Sequence, residues 1–483
     1  MILKYATGQQ IAILLRSLQE LVVRALVSPT ELAAWNLITI IASTVMLFQA
    51  NVVAASNRLL AQMHGSGADK SRIKSVRGNS IYLELFQQTL LSLGLLIVAP
   101  MVWDAPESLG SALYCCAVAV MVSNGLIGLL VGLHESSSHF PRLGFVLPLN
   151  AAVQVLFILL GIQFFGIQGL VGGAIIGLAL NVVMLMTSLR ISKAPWLTIP
   201  NLSVGKSLTG TAVSFRLADL PTSSLYLLDT ILASIWLAPG HLALYVTARV
   251  LVNFSSQVVF VASRIGLIRL GNRIGAQSTK AEISRFMSLQ FVLVFLVLLP
   301  LSVVVFEPAF RWFVPLFLKD YAASISILPF LLLSGLTSPR ALFLRNYWIH
   351  KSEWKKIAYS GTGGLLGAVL VFWCGINYFG EVGMRELAIL TLICQLPYAL
   401  GLIVAVTTSE EARLHLVYRL GIFLFSFLSI GAALFLNGAL SGESIDSIFI
   451  CAIEVAVGIL VVAPSILIGW WVFRHSTLLE NRA

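Results

Sequence analysis

Runs of about 20 to 25 apolar residues, separated by short polar clusters, recur from one end of the chain to the other. At about 1.5 Å of rise per residue, such a run crosses roughly 30 Å of hydrocarbon as a helix. The pattern predicts fourteen spans, over approximately 5 to 27, 32 to 60, 82 to 103, 110 to 133, 145 to 162, 167 to 188, 207 to 236, 241 to 263, 288 to 310, 322 to 344, 358 to 377, 386 to 407, 418 to 436 and 447 to 472. The short alternating segments of a membrane β-barrel are not visible. On one side the connections are very short, as at 28–31, "FGIQ" at 165–168, and 238–241, whereas the other side carries longer polar linkers. In one linker Thr279 stands three residues before Glu282, a capping-box pattern. That linker and the similar stretch 66–80 are each expected to hold a short surface helix.

Composition agrees with the pattern. Of 483 residues 58% are hydrophobic and 11% charged, and the mean hydropathy is +0.92, whereas a soluble chain carries about 25% charged residues. The fold class is therefore all-α integral membrane. Lys and Arg divide unequally between the two sides: 23 in one set of loops and the termini, against Arg311, Lys319 and Arg385 in the other. Basic loops stay in the cytoplasm, so both termini are expected there. The net charge of +10 is mostly this topology signal; the basic loops lack interleaved aromatics, and nucleic acid is not an expected partner. The first 27 residues lack a short apolar core followed by a small-residue cleavage site, so a removable signal peptide is not expected. Five cysteines lie in apolar segments, and neither they nor the seven histidines have metal-ligand or catalytic spacing. No catalytic residue, metal or cofactor is expected. A membrane polysaccharide polymerase or ligase would need a large external loop, and none is present between the predicted spans.

The chain also resembles itself. "LVSPTELAAWNL" (Leu26 to Leu37) aligns with "WLAPGHLALYVT" (Trp236 to Thr247) at an offset of 210, and "GIQFFGIQGL" (Gly161 to Leu170) with "GINYFGEVGM" (Gly375 to Met384) at 214. Two matches in order, at nearly one offset, indicate a duplication of six helices. An even number preserves orientation, so the halves are parallel repeats, a transporter design with substrate at the repeat interface. The expected organisation is a first six-helix bundle over 1–206, its repeat over 207–414, and two additional helices with a tail over 415–483.

The run "LDTILASIWLAPGHLALYVTARVLVNFSSQVVFVASRIGLIRL", Leu228 to Leu270, resembles the helix 7 to helix 8 signature of bacterial polysaccharide (O-antigen) flippases: Asp229 in a helix, a short L-x-P turn, an aromatic, and Arg249 one turn on. "FGIQGLVGGAIIGLALNVVMLM", Phe165 to Met186, resembles the Gly-rich helix 6 of the same family, within the multidrug, oligosaccharidyl-lipid and polysaccharide exporter superfamily. The resemblance implies a V-shaped pair of six-helix bundles around a central cavity in the bacterial inner membrane. It implies flipping of an undecaprenyl-diphosphate-linked sugar from the cytoplasmic to the outer leaflet, with membrane lipids and other polysaccharide-assembly proteins as partners. Spans 13 and 14 are expected, by analogy, to form a groove for the polyprenyl tail. Lipid II flippases carry an R-D-x-x-x-A-x-x-F-G type run in helix 1; here the stretch reads "ELVVRALVS", which departs from it.

Charges inside the spans supply the candidate site. Arg16, Glu20 and Arg24 share one helical face at spacings of four. A charge at the bilayer centre costs about 2.5 to 3.5 kcal/mol, so all three face the bundle interior or water. They form either a packing triad or a cationic wall in which Glu20 neutralises one arginine and orients the other. Arg58, Arg216 and Arg249 also lie within spans, near Asp219 and Asp229. Arg16, Arg24, Arg58, Arg216 and Arg249 are the candidate diphosphate ligands, because guanidinium forks match phosphate oxygens with paired hydrogen bonds. Arg58 and Arg216 have an alternative reading as cytoplasmic-end snorkelling residues, and Arg216 as a local partner of Asp219 three residues on. Glu20, Asp219 and Asp229 tune the cavity, with Asp229 either coupling transport to H+ or Na+ or serving as the structural partner of Arg249. A drug or organic-cation antiporter of the same fold is the alternative, and it predicts an acidic cavity.

Overall fold

The computed structural model describes residues 2–102, 124–135, 140–191, 200–337, 345–409, 414–441, 451–464 and 466–467. Among them there is no β-strand. The chain runs through α1 (Ile2–Leu26), α2 (Pro29–Met46), α3 (Val52–Gly65), α4 (Lys70–Val102), α5 (124–135), α6 (Phe140–Ile191), α7 (Leu202–Trp236), α8 (Pro239–Gly275) and α9 (Lys280–Val292). A π-helical turn at Leu293–Leu298 leads into α10 (Leu299–Phe317), and a 3₁₀ segment at Lys319–Ile327 into α11 (Leu328–Thr337). Then follow α12 (Arg345–Lys351), α13 (Trp354–Phe379), α14 (Met384–Ser409), α15 (Leu414–Ser441) and α16 (451–464).

Among the described residues six helical stretches are long and apolar enough to cross a membrane, and a seventh, within α8, is bent by 49°. The protein is thus an all-α, multi-pass membrane protein. The fourth predicted span is described only over 124–135 and the last only over 451–464 and 466–467; Cys115 and Cys116 lie outside the described residues. The expected surface helices are replaced by longer elements. Thr279 and Glu282 do form a reciprocal capping box, but the helix they start continues through the π turn into α10. Similarly, the basic stretch from Lys70 is the first part of α4 itself. Arg311, assigned to a loop on sequence grounds, is buried inside α10, and Arg419 is buried inside α15.

The two repeat motifs correspond to two kinds of turn. Ser28 caps α2, accepting from the Glu31 amide, and Pro29 occupies the first helical position. The equivalent Pro239 opens α8 after an equally brief break at Leu237–Ala238. At the second motif, a continuous span from Arg142 to Ser188 would be about 70 Å long, more than twice a bilayer's hydrocarbon. Gly166, at φ 57° and ψ −138°, breaks it into two arms. Those arms meet backbone to backbone: a Cβ on Gly169 would lie 1.8 Å from the carbonyl oxygen of Gly161. Gly380, offset from Gly166 by 214, also has positive φ, at 72°, between α13 and α14. Neither glycine has a neighbour within 4 Å of a built Cβ, so conformation, rather than room, requires glycine at both.

Contacts divide the chain into two units, Met1–Ser223 with Gly271–Gln277, and Ser224–Leu270 with Ser278–Ala483. In the first, α1 lies directly against α6, where a Cβ on Gly8 would fall 1.9 Å from the Gly144 carbonyl oxygen. Small residues permit such approach between membrane helices. The Tyr5 hydroxyl meets the buried Glu135 carboxylate in the same unit. In the second, Val304 of α10, Ala433 of α15 and Val462 of α16 form a shared cluster. Beside it the buried Arg311 lies 3.7 Å from Glu307 and 3.5 Å from Glu454.

Candidate functional site

In the first unit, α1 carries Arg16, Glu20 and Arg24. Arg24 is only 3% exposed and donates to the Glu20 carboxylate at 2.7 Å and to the Glu20 backbone carbonyl at 2.8 Å. Glu20 itself is partly exposed, so water still reaches the pair. Arg16 is partly buried, and its enclosed Nε makes no hydrogen bond among the described residues. The triad therefore divides into one ion pair and one guanidinium without an acidic partner among the described residues. Arg58, on α3, is also partly buried.

Arg216 takes a position that sequence spacing did not indicate. From α7 it donates through Nε to the Gln49 carbonyl at 2.5 Å and through a terminal nitrogen to the Met46 carbonyl at 3.1 Å. Met46 is the last residue of α2 and Gln49 lies in the turn just beyond it, so the guanidinium sits at the negative end of that helix. The Asn51 amide donates to Ala212 of α7 at 3.3 Å, and fixes the same junction from the other side. Asp219, one turn after Arg216, is 4% exposed and accepts from the Ser223 hydroxyl at 2.8 Å.

In the second unit, the turn at Leu237–Ala238 lays the ends of α7 and α8 side by side. Asp229 precedes the turn and Tyr245 and Arg249 follow it, which brings the three together. Arg249 donates to Asp229 Oδ1 at 2.8 Å and the Tyr245 hydroxyl donates to Oδ2 at 2.8 Å. All three are buried. The Arg249 guanidinium also reaches the Tyr226 carbonyl at 3.3 Å and lies over the Tyr226 ring, 5.5 Å from its centroid. Tyr226 in turn donates to Asn253 at 3.0 Å. A cation held by a carboxylate and a ring face is stabilised twice. Tyr226, Asn253 and the neighbouring Thr391 are partners that the sequence reading missed. The available signal was the register of the hairpin: positions at similar distances from the turn face each other.

Among the described residues, no group of three or more His, Cys, Asp and Glu side chains is arranged to hold a metal ion.

No protein-family model matches the chain, and no curated protein matches it in sequence. Solved structures do match its fold. A multidrug resistance MATE family transporter of the MOP superfamily, in an outward-facing conformation, superposes with a TM-score of 0.67 at 15% identity, covering 85% of this chain and 95% of its own. A variant of the MATE transporter VcmN from Vibrio cholerae superposes at 0.67 with 16% identity, covering 85% and 96%. A MOP superfamily transporter from Pyrococcus furiosus, described as having a binding pocket of reverse polarity that suggests a different function, superposes at 0.64 with 14% identity, covering 85% and 95%. The fold of the chain is that of these transporters.

Proposed function

We propose that the protein is a transporter that moves a polyprenyl-diphosphate-linked oligosaccharide from the cytoplasmic to the outer leaflet of a bacterial inner membrane by alternating access. In this reading both termini are cytoplasmic, 1–206 and 207–414 are repeated bundles, and 415–483 supplies two further helices. The observation that carries the reading is Arg16: a guanidinium inside a transporter fold, without an acidic partner among the described residues, on the same helix face as Arg24. A drug or organic-cation carrier has no use for that sign of charge, whereas a diphosphate does. The Pyrococcus furiosus relative, whose pocket is described as having reverse polarity, supports a substrate class within this fold that differs from that of the multidrug members.

Arg24 and Arg249 enter this reading as arginines held in reserve. Each is paired with a carboxylate at 2.7 or 2.8 Å, and a phosphate oxygen presents the same acceptor geometry to the guanidinium fork. Substrate binding would exchange one anion for the other. Arg216 contributes by holding the α2 terminus in place.

The test is mass spectrometry of lipid-linked oligosaccharides from cells lacking the gene, complemented with the wild type, with Arg16→Ala, or with Arg24→Ala plus Arg249→Ala. A polyprenyl-diphosphate oligosaccharide should accumulate, clear with the wild type and persist with the variants. Unchanged lipids and unchanged surface polysaccharide would overturn the reading. The multidrug description of one solved relative favours a second reading, small-molecule efflux; it predicts loss of drug resistance, rather than lipid accumulation, in the same cells.

A further inference from the structure

Glu84 lies in the middle of α4, about 21 Å of helix beyond Lys70, and it is 0% exposed. Its carboxylate accepts three hydrogen bonds, all from neutral amides: Gln49 Nε2 at 2.8 Å and Gln88 Nε2 at 2.7 Å on Oε1, and Gln87 Nε2 at 2.6 Å on Oε2. No guanidinium or ammonium group stands within ion-pair distance among the described residues. A buried carboxylate without a cation carries a large desolvation penalty that neutral donors offset only in part.

A second observation points to what completes the site. Gln88 is also 0% exposed, and the oxygen of the very amide that touches Glu84 is enclosed without a hydrogen-bond donor. A carboxylate beside a bare amide oxygen is an oxygen-rich pocket suited to a small cation. The α5 backbone closes it: a Cβ on Gly125 would fall 2.4 Å from Glu84 Oε1 and 1.9 Å from Gln88 Nε2.

We propose that Glu84 and Gln88 form a binding site for a monovalent cation, H+ or Na+, inside the first unit. Binding neutralises the carboxylate, and a half-turn of any of the three amides presents an oxygen in place of its nitrogen. The other charged groups that these elements carry within the first unit are Glu31 on α2, Arg58 and His64 on α3, Lys70, Arg72, Lys74 and Arg77 on α4, His134 and Glu135 on α5, and Lys206, Arg216 and Asp219 on α7. Of these, Arg216 communicates with the site through one residue: it holds the carbonyl of Gln49, whose side chain holds Glu84. A cation that releases the Gln49 amide therefore acts on the same residue that Arg216 holds just beyond the end of α2. The consequence for ion coupling rests on the transporter reading; the binding itself does not.

The test is carbodiimide labelling of the purified full-length protein with dicyclohexylcarbodiimide, which attacks protonated carboxyls in apolar surroundings, read by peptide mass spectrometry. In Na+-free buffer Glu84 should be modified, with labelling that falls as pH rises, by about tenfold per unit above its midpoint. Protection at fixed pH by Na+ but not by choline would identify Na+ as the occupant; insensitivity to Na+ would identify the proton. Labelling of Glu84 that changes with neither pH nor Na+, or no labelling in acidic Na+-free buffer, overturns the proposal. Gly125→Ala, which crowds the amide without changing charge, should reduce the Na+ or pH response at least severalfold; an unchanged response would also overturn it. Lipid accumulation in cells is a separate readout, so the flippase reading and this site can fail independently.

Discussion

Asp229 in the second unit and Glu84 in the first are both carboxylates enclosed in helices, with 2% and 0% exposure, yet their surroundings differ in kind. Asp229 is met by a guanidinium and a tyrosine hydroxyl, so its negative charge is cancelled where it stands. Glu84 is met by three amides that carry no net charge. The difference teaches that burial alone does not designate an ion-coupling residue. A carboxylate already holding its cation has little to gain from another, whereas one held by dipoles remains available. Asp229 therefore reads better as the counter-ion of Arg249, and Glu84 as the residue open to exchange.

The comparison can be broken most forcefully at Arg249. Arg249→Ala leaves Asp229 buried and uncompensated and should destabilise the protein by about 3 to 5 kcal/mol, whereas Asp229→Leu combined with Arg249→Met should recover most of that. Thermal unfolding of the detergent-purified variants decides it; a double variant as unstable as the single would show that charge compensation is not what holds α7 to α8. Next in size is Tyr245→Phe, which removes a hydrogen bond to a charged group and should cost about 1.5 to 3 kcal/mol by the same measurement. Arg24→Ala should cost roughly 1 kcal/mol or less, because its partner Glu20 is partly exposed and rehydrates. The smallest effect on stability is expected for Glu84→Gln, within about 1 kcal/mol of wild type, since an amide of the same shape enters a cluster of amides. A loss at Glu84→Gln as large as that at Arg249→Ala would erase the distinction between the two sites.

Much of the architecture was legible in the sequence because hydrocarbon imposes a simple rule on backbone polar groups: they must be satisfied within the helix. The turns at Ser28–Pro29 and Ala238–Pro239 are signalled by proline, and the two similar stretches set Gly166 against Gly380, both of which have positive φ. The linkers were less legible. A capping box at Thr279 marks where a helix begins and says nothing about where it ends, so the continuation into α10 was invisible. The intramembrane charges were found as a set, but spacing along one helix could not reveal partners on another. Spacing sets Arg216 beside Asp219 on one helix, but its bonds to the Gln49 and Met46 carbonyls around the end of α2 follow from no sequence pattern. Glu84 falls inside a predicted span, but its glutamines are distinguished by position in space, with Gln49 brought from the turn after a different helix.

The glycine break in α6 has a consequence for how the chain is made. The two arms on either side of Gly166 form a hairpin whose tip is a single non-helical residue, and whose arms touch through Gly161 and Gly169 without intervening side chains. A nascent chain threading such a hairpin through an insertion channel has almost no polar loop to push across the hydrocarbon, so the far side of the membrane is reached and left within one residue. The arms can then leave the channel together as one preassembled wedge. The position equivalent to Gly166, Gly380, gives the second half of the chain a similarly brief reversal, so the ribosome would deliver this device twice in one polypeptide.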